Sequence, residues 1–412
     1  RDEKEALDTR CRVLKQSLRE LREEVDQRVH KAEARPAFPA CARMDAENAL
    51  QSPTDRLVQV GKLDDFVKRL QHQMACDPKT GKSLYYSLTD LRIFLAGLAM
   101  SSLHIFQGLS GTGKTSLPLA FARAVDAGST LIEVQAGWRD RQDLLGHYNA
   151  FDRLYVETKF TKALYEAQCP AFADKPYVIV LDEMNLSRPE QYFADLLSAL
   201  ERDEDDRELE LISAPVEGAP RGFIDQSRLR VPPNVWFIGT ANHDETTVEF
   251  ADKTYDRAHV MELPRDPKPF PIKDIAPLGI SWSSLREAFT KASDKYEEDA
   301  QHATGFIRDV LSDPLKRLFR VGWGPRLERQ MLAFVPVVMA AGGTRGEGLD
   351  HIIATRLFRK IRDRHDTRID DLKALQKRLK EGWSGVAEGD PERSLMVLAE
   401  ELRRLGEEGE GR

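Results

Sequence analysis

The chain has 412 residues, long enough for two or three domains and a sizeable buried core. Charged residues make up 31% and the formal net charge is -7, which excludes an overall basic nucleic-acid binder while leaving room for a local basic channel. No apolar run approaches the roughly 18 residues that span a membrane. No stretch reads as a signal peptide, and a chain opening on Arg1 reads as an excerpt of a longer protein. The four cysteines are scattered without metal or disulfide spacing, so a reducing, cytoplasmic setting is expected. The histidines form no H-x-x-x-H pair on one helix face, and no zinc site is expected.

Residues 3–33 are almost all helix formers. Leu7, Cys11, Leu14, Leu18, Leu21 and Val25 recur at spacings of four and three, a coiled-coil seam that Arg28 breaks. Such a seam suits a helix packed on its own domain as well as one that pairs with a partner. Pro36 and Pro39 end it, and Ala40 to Thr54 reads as linker. Residues 55–100 read as helical, with a polar break at Asp77–Lys82, and run straight into the next segment.

There Leu103, Ile105 and Phe106 predict a buried strand, and Ser116 to Val125 predict a helix. Between them Gly108, Gly113, Lys114 and Thr115 satisfy the phosphate-loop pattern G-x-x-x-x-G-K-[ST]. Gly108, Gly111 and Gly113 let the backbone close around a polyphosphate, with Ser110, Thr112 and Ser116 completing the lining. The helix N-terminus adds its partial positive charge. Lys114 is expected to neutralise the β and γ phosphates, and the Thr115 hydroxyl to ligate magnesium.

Thr130–Val134 is the next strand candidate, followed by an irregular polar and aromatic stretch, Gln135 to Phe160, expected to be an insertion or working loop. Tyr177–Leu181 is a continuous apolar run of the kind found in strands buried on both faces, and it ends in Asp182-Glu183. At the carboxyl end of such a strand, beside a phosphate loop, Asp182 would hold magnesium and Glu183 would polarise the attacking water. Glu201–Glu210 reads as a solvated acidic face. Residues 208–212 and 228–231 alternate polar with apolar and predict a hairpin. Val235–Ile238 predicts another buried strand leading to Asn242, whose amide suits a hydrogen bond to water or the γ-phosphate, or a plain turn. Beyond Pro264 the chain reads as helical, with breaks at Pro277–Gly279, Gly322–Pro325, Gly342–Gly348 and Gly382–Pro391.

Over roughly Leu88 to His365 this order of motifs resembles the AAA+ NTPases. It is most similar to the branch that carries a hairpin before sensor 1, which includes the MoxR-type ATPases and McrB-like motor subunits. Asp182-Glu183-Met184-Asn185-Leu186-Ser187-Arg188 resembles the extended Walker B of that branch, Asp143-Leu144-Leu145-Gly146-His147-Tyr148 its insertion after the second strand, and Gly239-Thr240-Ala241-Asn242-His243-Asp244 its sensor 1. Asp256-Arg257 resembles the arginine-finger position, with a surface salt bridge between the two as the plainer alternative. Gly322-Trp323-Gly324-Pro325-Arg326 resembles the sensor 2 motif that opens a lid helix.

The resemblance implies a three-layer α/β/α core with a parallel sheet and a helical lid. Nucleotide would sit between them, with Arg326 approaching from the lid, and Arg257 would complete the site of a neighbour in a ring, expected to be a hexamer. Expected segments are a helical coil and linker at 1–54, the nucleotide-binding domain at 55–265, the lid at 266–366 and a helical tail at 367–412. ATP with magnesium is expected rather than GTP, because Asn242-His243-Asp244-Glu245 departs from the N-T-A-D signature of GTP-using McrB-type proteins. Expected partners are further copies of the chain and a nuclease or effector subunit, with DNA as a possible substrate. The resemblance thus implies an ATP-driven motor of a bacterial DNA-restriction or phage-defence assembly, the alternatives being a MoxR-type protein remodeller and a nucleotide switch that only governs association.

Overall fold

A computed structural model describes residues 10, 12–23, 36–76, 81, 83–242, 248–264, 267–362, 364 and 366–410. Five strands form a parallel sheet: β1 (Leu103–Gly108), β2 (Gly128–Glu133), β3 (Tyr177–Asp182), β4 (Val235–Asn242) and β5 (His259–Glu262), in the order β5-β1-β4-β3-β2. The apolar runs seen in the sequence are buried on both faces because alternate side chains enter different cores. Val178, Val180, Trp236 and Ile238 face one layer, and Ile179, Leu181, Val235 and Phe237 face the other.

Helices α1 (Leu63–Met74), α2 (Leu88–Met100) and α3 (Ser116–Ala124) cover the first face, and α4 (Lys159–Glu166) packs on the second. Ser87 caps α2 by accepting from the Asp90 amide, and the helix is buried almost all round because the lid lies on its far side. The lid comprises α5 (Trp282–Lys295), α6 (Glu297–Phe306), α7 (Ser312–Phe319), α8 (Pro325–Ala340) and α9 (Arg345–Ile352), followed by α10 (Ile369–Trp383) and α11 (Glu392–Glu410). The fold is thus a three-layer α/β/α core with a helical lid.

Several local expectations change. The linker expected at Ala40–Thr54 contains two short helices, Pro39–Ala46 and Asn48–Gln51, held down by buried Phe38 and Cys41. Glu157 accepts from the Ala40 and Cys41 amides at 2.7 and 2.8 Å, which ties this segment to the α/β core. The C-terminal segment expected as a tail buries Leu372, Leu375, Leu379, Trp383 and Leu398 in the same core as the lid. The insertion at Gln135–Phe160 folds as a short helix, Arg141–Leu145, and a hairpin of Gly146–Asn149 with Leu154–Glu157. Gly146 is required there, since a Cβ on it would lie 2.0 Å from the Val156 carbonyl oxygen. The later hairpin pairs Glu208–Glu210 with Arg228–Arg230, as its alternation predicts, and gains a third strand at Phe223–Ile224. Strand β5 has no counterpart in the sequence reading.

Residues 12–23 are helical, with Val13, Leu14, Leu18 and Leu21 57–63% exposed, so the described part of the seam is not packed on its own domain. Leu7, Cys11, Val25 and the break at Arg28 lie outside the described residues, as do most of Asp77–Lys82 and the stretch from His243 to Thr247.

Candidate nucleotide site

The turn between β1 and α3 is the phosphate loop. Gly108, Gly111 and Gly113 have φ of 134°, 83° and 88°, conformations that side-chain-bearing residues avoid. Ser110 and Gly111 form the exposed crest, and Thr112 closes the turn by donating to the Leu109 carbonyl at 3.0 Å. Ser116 begins α3, so the helix N-terminus opens onto the loop. Lys114 is only 6% exposed, and its Nζ donates to the Gly108 and Leu109 carbonyls at 2.9 and 2.7 Å. Burial pulls the Lys114 pKa down, while the charges of Asp182 and Glu183 pull it up.

Asp182 sits at the end of β3 and accepts through one oxygen from two hydroxyls, Thr115 at 2.7 Å and Thr240 at 2.8 Å. Among the described residues no group of three or more His, Cys, Asp or Glu is arranged to hold a metal. The hard oxygens of Thr115 and Asp182 nevertheless fit magnesium, which takes few protein ligands and fills its octahedron with waters and phosphate oxygens.

Glu183 follows in a left-handed backbone conformation, φ 53°, which turns its side chain out of the strand direction. Its amide donates to Thr240 Oγ1 at 2.9 Å, and its Oε1 accepts from Asn242 Nδ2 at 3.3 Å. Asn185 braces the other side, donating to the Asn242 carbonyl at 2.8 Å and accepting from the Asn242 amide at 3.3 Å. Glu183 and Asn242 are therefore brought together. Thr240 and Asn185 were quoted only as parts of motifs. The available signal for Thr240 was a hydroxyl inside an otherwise apolar strand.

The two arginines lie elsewhere. His259 pairs with His104 near the start of β1. Arg257 is therefore level with that start, about 20 Å from the phosphate loop at roughly 3.3 Å per strand residue. It donates to Glu201 and to the Lys253 carbonyl, and Ser101 Oγ donates to its own carbonyl at 2.7 Å. Its expected surface partner, Asp256, instead pairs with Lys360 at 3.1 Å. Arg326 does not approach the phosphate loop from the lid. Helix α8 packs along α2, and its first turn lies beside Met100, Ser101 and Ser102 at the opposite end of the sheet. There Arg326 Nη2 donates to Glu201 Oε1 at 2.6 Å. A cation at a helix start needs an anion nearby, and Glu201 supplies it. The acidic segment expected as a solvated face thus gathers both arginines, and they hold the Glu201 pKa below its ordinary value, Arg326 foremost.

Residues 104–258 match the sequence model of the AAA domain, dynein-related subfamily. No curated protein matches. Among solved structures, a provisionally assigned ATPase from Cytophaga hutchinsonii aligns at 13% identity and a TM-score of 0.45, over 72% of this chain and 86% of that one. No helix among the described residues is long and apolar enough to cross a membrane.

Proposed function

With residues 104–258 an AAA domain of the dynein-related subfamily and the chain an NTP-hydrolysing enzyme, we propose an ATP-driven motor that works as a ring. One observation carries the ring: Arg257 and Arg326 meet on Glu201 at the pole of the sheet remote from the phosphate loop, where they cannot reach their own subunit's γ-phosphate. Each would complete a neighbour's site. A hexamer is the closed ring we favour.

Within one subunit, the loop amides and Lys114 bind the β and γ phosphates, and Thr115 with Asp182 would hold magnesium, which shields the phosphate charge when bound. Glu183, held by Asn242 and Thr240, accepts a proton from the water that attacks the γ-phosphorus. The acids and Asn242 lie on the β3/β4 side of β1, so the base extends to the β5 side. A cavity of about 610 Å³ at the arginine pole contrasts with one of about 570 Å³ beside the loop, lined by Ser87, Gln107, Glu262, Leu263, Thr355 and Arg359. The latter is the seat we assign to the base.

For the client, the McrB-like motifs favour a motor subunit of a DNA-restriction or phage-defence assembly with a nuclease or other effector. The net charge of -7 favours the second reading, a MoxR-type remodeller acting on protein. DNA-stimulated hydrolysis supports the first, and stimulation only by a protein client the second.

The ring is tested by mixing Glu183→Gln with Arg257→Ala subunits. Each alone is expected to be nearly inactive, since an arginine finger contributes about three to five powers of ten. In mixed rings some interfaces join an intact Glu183 to an intact Arg257, so single-site hydrolysis returns. No return in rings shown to be mixed, or normal turnover of Arg257→Ala alone, would remove the proposal.

A further inference from the structure

Arg356 lies in the lid just past α9, 6% exposed, and takes no part in the chemistry described above. Its guanidinium spans three acceptors. Nη1 donates to the Ala258 carbonyl, and Nη2 donates to the Asp256 carbonyl at 2.8 Å and to Gln330 Oε1 at 2.9 Å. Asp256 and Ala258 are the residues on either side of Arg257. Gln330 lies on α8, one turn beyond Arg326. A single buried side chain therefore ties together the two segments that carry the arginines meeting on Glu201.

The surrounding geometry explains why this position faces inward. Residues Ile353–Leu357 form a π-helical turn, a local change of register that recurs at functional sites. Thr355 and Arg359 face the cavity beside the phosphate loop, whereas Arg356 and Lys360 face the arginine pole. Lys360 bonds the Asp256 carboxylate and Arg359 bonds Asp252 at 2.6 Å, so neighbours on the same segment fix the residues just before Arg257. Burial lowers the Arg356 pKa to about 10, which leaves it charged at neutral pH.

We propose that Arg356 is a positioning residue that sets Arg257 and Arg326 in the geometry a neighbouring subunit's nucleotide requires. The proposal rests on the trans role given to those arginines above. Lysine cannot replace Arg356, because a single point charge lacks the planar fork that reaches acceptors on two segments.

The test compares full-length Arg356→Lys, Arg356→Met and Gln330→Leu with wild type in steady-state ATP hydrolysis, ring assembly and thermal unfolding. Arg257→Ala is run alongside. For Arg356→Lys, kcat is expected to fall about 10- to 100-fold, the scale of a misplaced catalytic group, with KM for ATP within about twofold and rings intact. Methionine should be worse than lysine. Mixing Arg356→Lys with Glu183→Gln subunits should restore part of the activity, because the lysine variant keeps an intact phosphate-loop half. A purely structural defect would not be rescued that way. If Arg356→Lys or Arg356→Met does not fold, Gln330→Leu gives the same readout with only one acceptor lost. Wild-type kcat in the folded variants, or a loss that mixing leaves unchanged, overturns the inference while Arg257→Ala is inactive and rescued. An active Arg257→Ala instead overturns the ring itself.

Discussion

Replacing Thr240 by valine tests whether Glu183, the proposed general base, is held in place by the strand beside it. Valine keeps the shape and removes a hydroxyl that donates to Asp182 at 2.8 Å and accepts the Glu183 amide at 2.9 Å. The bond to the carboxylate is worth about 1.5–3 kcal/mol and the bond from the amide about 1 kcal/mol. Both groups are only part-buried, so a stability loss of about 2 kcal/mol is expected, read as a shift in the denaturant midpoint. The catalytic effect follows from a near balance. Holding a side-chain-bearing residue in the left-handed region costs roughly 1–2 kcal/mol, about what the amide bond returns. Without it Glu183 should relax to negative φ and leave Asn242. Turnover should then fall about 100-fold or more, since a general base contributes about two to four powers of ten. Nucleotide binding should change little, because Lys114 and the loop are untouched. Thr240→Ser should restore both stability and rate. Turnover of Thr240→Val within about twofold of wild type at saturating magnesium and ATP would refute this account, as would a serine variant as impaired as the valine one.

Lys114→Ala should abolish hydrolysis and weaken nucleotide binding in a filter or fluorescence assay, and near-normal turnover would remove the phosphate loop from the mechanism. Glu183→Gln should bind ATP and magnesium while hydrolysing about two to four powers of ten more slowly, whereas Asp182→Asn should raise the magnesium concentration needed for half-maximal rate. Equal loss of nucleotide binding in both would erase that division. Deleting residues 1–34 should leave hydrolysis and unfolding unchanged, since Leu14, Leu18 and Leu21 are exposed and the cut spares buried Phe38. Loss of the folded state would place the seam in the domain core. The Glu201 pKa is depressed in the folded chain, so its contribution to stability is present above the ordinary value of 4.5 and fades as pH falls through the lower folded value. The difference in denaturant midpoint between wild type and Glu201→Gln should accordingly shrink below pH 4.5, and a difference that grows on acidification would contradict the ion pairing.

The strands that carry the phosphate loop, Asp182 and Asn242 were legible because each is mostly apolar, His104 and Thr240 being buried exceptions, and each ends at polar or glycine positions. Strand β5 was not, because His-Val-Met-Glu is short and presents no apolar run. Its His259 is buried through contact with His104 at 3.3 Å and His351 at 3.2 Å, which no local pattern announces. The helices at Pro39–Ala46 and Asn48–Gln51 escaped notice for a related reason. They are short, and what holds the first is the distant Glu157 carboxylate rather than any periodicity of their own. The two arginines were named separately, one as a finger and one as a lid sensor, and their meeting on Glu201 depended on how α8 lies along α2, a packing choice that motif spacing does not encode. Glu201 was dismissed for sitting in an acidic stretch, although its two cations come from 56 and 125 residues away.

The weakness of the Glu201 contacts fits a holding role. The Glu201 side chain is 41% exposed and that of Arg326 is 39% exposed, so their ion pair is worth at most about 1 kcal/mol, while Arg257 on the same carboxylate is 18% exposed. An arginine that engages a γ-phosphate in the transition state contributes about three to five powers of ten, or roughly 4–7 kcal/mol. In the proposed ring, exchange of Glu201 for a neighbour's nucleotide would therefore be strongly downhill at the moment of reaction. Before that moment the Glu201 carboxylate would offset the charge of both arginines. In the proposed ring, partial exposure of this one side chain would suit both the resting subunit and the assembled state.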